Sequence, residues 1–130
     1  GEVDKFLGDG VFAFFRDPKD AIEASRRIQV RIMTFNQQQI ARGGVQLPTR
    51  IGLATGKVLL ALVGSSARRE YTLLGDRVNV AARLQEIAPV GGVAIDEVTY
   101  RAANEPEYIS SDTFVLKGKE NLERVYILRQ

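Results

Sequence analysis

The chain is 130 residues long, 45% hydrophobic and 26% charged, with a formal net charge of +2, which is enough for one core and too little for two ordinary domains, so residues 1–130 read as one domain. It has no cysteine and no histidine; disulfides, thiolate metal sites and imidazole chemistry are excluded, leaving carboxylates, hydroxyls, lysine and arginine for any reaction. Basic residues are spread rather than interleaved with aromatics, which argues against nucleic acid, and no apolar run approaches the roughly 20 residues of a membrane span. No signal peptide opens the chain, so a cytoplasmic domain without direct membrane contact is expected.

Two short apolar strands are predicted within residues 4–15, joined at Gly8-Asp9 as a hairpin with a carboxylate at its tip. Glycine on each side of Asp9 lets a ligand or metal approach the backbone, although a Gly-Asp-Gly sequence is usually only a turn. Asp17-Pro18-Lys19-Asp20 then reads as a helix entry, with Asp17 as N-cap, Pro18 at the first helical position and Asp20 placed to reciprocate. That role accounts for Asp17 better than a metal-binding Phe-x-Asp at Phe15-Arg16-Asp17 does. The helix is predicted to run to about Arg42, with Ala21, Ala24, Ile28, Met33 or Ile32, and Phe35 inward, until Gly43-Gly44 ends it.

Strands follow at residues 49–54 and 58–63, and Gly75-Asp76 opens a second helix. That helix is apolar at Val78, Val80, Ala81, Ala82, Leu84 and Ile87, while Asn79, Arg83 and Glu86 form one polar stripe. The stripe is either a solvated face with Arg83 snorkelling, or the lining of a cleft. In a cleft, an amide and a guanidinium one turn apart could hold the sugar and phosphate of a nucleotide. A strand at 93–95, a short helix from Asp96 to about Ala103, and strands near 108–109, 113–116 and 124–128 complete an α+β domain whose helices cover a mostly antiparallel sheet.

Four segments occur in one order at one set of spacings: Lys5-Phe6-Leu7-Gly8-Asp9, Arg50-Ile51-Gly52-Leu53-Ala54-Thr55-Gly56, Gly64-Ser65, and the run from Tyr71 to Leu84. Together they resemble the catalytic domain of class III nucleotide cyclases, the adenylyl and guanylyl cyclases. Leu116-Lys117-Gly118-Lys119 followed by Val125-Tyr126 is similar to the family's closing strand pair. The resemblance implies a ferredoxin-like fold and cyclisation of ATP to 3′,5′-cyclic AMP with release of pyrophosphate. It also implies two Mg²⁺ or Mn²⁺ ions per site and a head-to-tail homodimer in which both chains build each site.

By the same resemblance Asp9 is a metal ligand, Arg83 stabilises the pentavalent phosphorus, Asn79 orients the ribose, Lys117 pairs with the terminal phosphates and Lys57 adds a phosphate contact. Lys5 and Thr72 stand at the base-selecting positions. A donor at Lys5 and an acceptor at Thr72 fit the edge of adenine, whereas the N1 proton of guanine would face an ammonium that cannot accept it. Thr72 resembles the residue of the bacterial and soluble subset.

Two departures are notable. The family opens with a strand carrying Phe-x-Asp, the first metal ligand, and no such segment stands between Gly1 and the hairpin, so an N-terminally truncated domain, inactive alone and attached to upstream regulatory domains, is expected. Ala61 also replaces a common glycine. The competing readings are a non-catalytic cyclase-like module that binds nucleotide or dimerises, and a guanylyl cyclase.

Overall fold

The computed structural model describes residues 1–130 except 8–9, 57–58, 64–69, 75, 118–120 and 130; side chains are described at the remaining positions other than 4–7, 59–63, 70–74, 117 and 121. Among the described residues, no helix is long and apolar enough to cross a membrane.

β1 (Glu2–Leu7) and β2 (Gly10–Phe14) pair antiparallel with Leu7 opposite Gly10, as the predicted hairpin requires. The Gly8-Asp9 tip lies outside the described residues. α1 (Pro18–Arg42) starts and stops at the expected signals. The Asp17 carboxylate accepts from the backbone N–H of Lys19 at 2.9 Å, Pro18 opens the helix, and Gly43 closes it at φ 70°, a left-handed conformation that costs glycine little.

The inward face of α1 agrees with the expectation at Ala21 and departs from it further along. Ala21, Ile22, Ser25 and Gln29 are buried, whereas Ile28, Met33 and Phe35 are exposed. Two anchors explain the rotation. Ile22 enters the core, and the Gln29 amide is drawn inward by donating to the carbonyls of Thr49 (3.2 Å) and Gly92 (2.9 Å), which caps two loops with one side chain.

The main sheet has the order β3-β6-β8-β7, from β3 (Ile51–Leu53), β6 (Val93–Asp96), β7 (Tyr108–Lys117) and β8 (Asn121–Leu128). β3 and β6 are parallel, and the other neighbours antiparallel. β4 (Leu59–Val63) and β5 (Glu70–Leu74) form a separate antiparallel pair. β7 joins into one strand what the sequence predicts as two, because its polar stretch Ser110-Ser111-Asp112 lies on a sheet edge, where side chains can face water without interrupting the ladder to β8.

Alternation along the strands splits the core between the two faces. On one face Val80 and Leu84 of α2 (Asp76–Ile87) pack with Ala94, Leu116 and Val125. On the other, Ile22 of α1 packs with Val93, Ile95, Tyr126 and Leu128, and Tyr100 of α3 (Glu97–Ala102) packs against them. The Tyr100 and Tyr126 rings stack at 3.7 Å and 6°, with Tyr108 edge-on to both. Helices therefore cover both faces of a mostly antiparallel sheet.

Candidate active site

α2 begins at Asp76 and is pressed onto the sheet at Gly52. A Cβ added there would lie 2.3 Å from the backbone N of Gln85 and 2.5 Å from the carbonyl O of Ala81. Only a residue without a side chain allows this approach. Val80 and Leu84 are fully buried, and the opposite side of the helix carries Asn79, Ala82, Arg83 and Glu86, all exposed. Asn79 and Arg83 stand four residues apart, about 6 Å along the axis on one face. Arg83 donates to Glu86 at 2.9 Å, an exposed pair one turn apart.

The polar stripe is therefore where the sequence puts it, and it is bordered by exposed Ala82 and half-buried Val78 rather than by a fully charged face. Of the other predicted site residues, the backbones of Lys5 and Thr72 fall on β1 and β5, two strands that approach each other. Lys117 ends β7. The side chains of Lys5, Thr72 and Lys117, and all of Asp9 and Lys57, lie outside the described residues. Among the described residues no cluster of three metal-ligating side chains occurs.

A polar network beside α2 is not legible in the sequence. Arg77, in the first turn of α2, donates through Nη1 to Asp96 Oδ2 and to Glu123 Oε1, each at 3.0 Å. Its stem lies over Gly56, where a Cβ would meet Arg77 Cγ at 2.3 Å. Asp96 is fully buried; its other oxygen accepts from the backbone N and the hydroxyl of Thr99, capping α3, and the Thr99 hydroxyl meets that of Thr55 at 2.6 Å. Burial alone would lower the Arg77 pKa, but the hydrogen bond and charge of Glu123, joined by Asp96, raise it above its usual value. A cation in the first turn opposes the helix dipole, and that misplacement is the one sequence cue to a carboxylate partner.

Comparison with known proteins speaks to the fold and the family. The family described as "Adenylate and Guanylate cyclase catalytic domain" matches residues 5–130. The adenylate cyclase of Anabaena cylindrica is 29% identical over 97% of this chain; the chain spans 28% of that relative and smaller shares of the adenylate cyclases of Rhizobium meliloti and Dictyostelium discoideum. Among solved structures, the guanylyl cyclase Cya2 superposes with a TM-score of 0.85 at 26% identity, covering 98% of this chain and 68% of that one. The adenylyl cyclase CyaB from P. aeruginosa superposes with a TM-score of 0.82 at 26% identity, covering 100% of this chain and 72% of that one. The chain thus belongs to the adenylate and guanylate cyclase catalytic domain family, the class III nucleotide cyclases.

Proposed function

We propose that this domain converts ATP to 3′,5′-cyclic AMP and pyrophosphate at the interface of a head-to-tail homodimer, as the cytoplasmic catalytic part of a larger signalling polypeptide. The observation that carries the reading is the exposed Asn79 and Arg83 pair on a helix whose backbone is pressed onto Gly52. A fixed amide and guanidinium, bordered by small apolar residues, suit a buried contact with a partner and a nucleotide better than a solvated surface.

The reaction forms a bond from the ribose O3′ to the α-phosphorus and breaks the bond from that phosphorus to the bridging oxygen of the β-phosphate. Asn79 hydrogen-bonds the ribose and aligns O3′ for in-line attack. Arg83 gives charge-assisted hydrogen bonds to the α-phosphate oxygens, which carry most charge at the pentavalent stage. Lys117 and Lys57 neutralise the terminal phosphates, and Lys5 and Thr72 read adenine. Without histidine or cysteine the donor set is oxygen only, which fits the hard cations Mg²⁺ and Mn²⁺, with Asp9 as one ligand. Bound there, such ions would acidify the 3′-hydroxyl and neutralise the leaving pyrophosphate.

The full-length protein assayed with ATP and GTP under Mg²⁺ and Mn²⁺ should form cyclic AMP at least about tenfold faster than cyclic GMP. Chelation by EDTA should stop it. A preference for GTP would favour the guanylyl reading that the similarity to Cya2 leaves open, and no product from either nucleotide would favour a regulatory module.

Arg83 spends one nitrogen on Glu86, and an exposed ion pair holds only ~0.2–1 kcal/mol, so Glu86→Gln is expected to change turnover by no more than about fivefold. A larger loss would place Glu86 itself in the site.

A further inference from the structure

We propose that Arg77 is a positioning residue for this reaction: fastened to Asp96 and Glu123, it fixes the N-terminal end of α2 and thereby sets where Asn79 and Arg83 point.

α2 is held to the sheet in two different ways. Toward its C-terminal half, Ala81, Leu84 and Gln85 rest on Gly52 through backbone contact, and Val80 and Leu84 fill the core. Apolar contacts of this kind oppose separation strongly but resist small rotation and sliding weakly, because they have no direction. At the N-terminal end the restraint is directional. One Arg77 nitrogen is shared between Asp96 of β6 and Glu123 of β8, so any roll of the helix stretches two charge-assisted bonds at once.

The Asp96 acceptor is itself held in place. Asp96 is buried and spends its second oxygen on Thr99, whose hydroxyl meets Thr55 at the end of β3. Gly56, where a Cβ would meet Arg77 Cγ at 2.3 Å, leaves room for the arginine stem. Four segments thus converge on one guanidinium two residues before Asn79 and six before Arg83. Arg77 is itself four-fifths buried among these groups, and its role is exerted through the helix. A second nitrogen, Nη2, reaches the other oxygen of Glu123 at 3.5 Å, so the guanidinium plane is held in a fork; lysine at this place would keep the charge and lose that fork.

The proposal rests on the cyclase reading, and its test separates the two. In the full-length protein, Arg77→Lys should lower kcat for cyclic AMP formation about tenfold with KM changed less than about twofold, and should cause a clearly smaller loss when Arg83 is already alanine, the remainder being what Asn79 contributes. Equal losses with and without Arg83 would make Arg77 a general stability element and overturn the proposal. Hydrogen exchange supplies a readout independent of turnover. The α2 amides from Asn79 to Arg83 should exchange at least about tenfold faster in Arg77→Lys while β6 and β8 keep their protection. Exchange that rises equally in β6 and β8 would overturn it too. If the wild type forms no cyclic nucleotide but exchange is selective, the cyclase reading fails and the fixing of α2 stands. Should Arg77→Lys fold poorly, Glu123→Gln, which spares the Arg77–Asp96 bond, should show the same selective exchange, and its absence there would count against the proposal.

Discussion

Replacing Gly52 by alanine is expected to destabilise the domain by about 3 kcal/mol or more, seen as a fall in Tm of roughly 10 °C. The added methyl would lie 2.3 to 2.7 Å from the backbone N of Gln85, the carbonyl O of Ala81 and the carbonyl C of Leu84. None of these atoms can turn aside as a side-chain tip could. Relief requires α2 to lift from β3, which opens the layer of Val80, Leu84, Ala94 and Val125 on that face. Gly43→Ala is the useful contrast, since open space surrounds Gly43 and only its φ of 70° opposes a side chain; its cost should stay near 1 kcal/mol. A variant at Gly52 that melts with the wild type would mean that α2 does not rest on the sheet as described.

The other large effect concerns shared sites. In the full-length protein Arg83→Ala should lower turnover at least about a hundredfold with little change in nucleotide affinity if, as proposed, its charge serves the pentavalent phosphorus. On the proposed mechanism Asp9→Asn should abolish turnover with little change in fold, since it removes the anionic ligand proposed for the metal. Mixed, the two inactive chains should recover activity: a heterodimer holds one site with both defects and one with neither. Absence of rescue in chains that demonstrably associate would exclude sites built across a homodimer, and a loss confined to KM in Arg83→Ala would make Arg83 a ground-state binder.

Local signals were the legible part of the fold. Asp17-Pro18 and Gly43-Gly44 bracket α1, because caps are settled by a few neighbouring atoms, and α2 starts at Asp76 as expected. The stripe of Asn79 and Arg83 was legible for the same reason, as it depends only on helical spacing. The inward face of α1 was not. Its hydrophobic residues lie on nearly every side, and the choice fell to Gln29, a polar residue drawn inward by carbonyls 20 and 63 positions away. The Arg77 network was hidden likewise, since its acceptors stand 19 and 46 residues from it and nothing local pairs them. The two predicted strands that merge into β7 were separated by a polar stretch whose edge position only the sheet order reveals.

The tyrosine stack decides what light can see in this molecule. There is no tryptophan, and three of the four tyrosines, Tyr100, Tyr108 and Tyr126, sit in one cluster at the α3–β8 corner. Near-ultraviolet dichroism and intrinsic fluorescence will therefore report chiefly on that corner, through exciton coupling of rings 3.7 Å apart. Displacement of α2 on the opposite face of the sheet would disturb these tyrosine signals little, so far-ultraviolet dichroism, which reads helix itself, is the optical probe that follows the helix carrying Asn79 and Arg83.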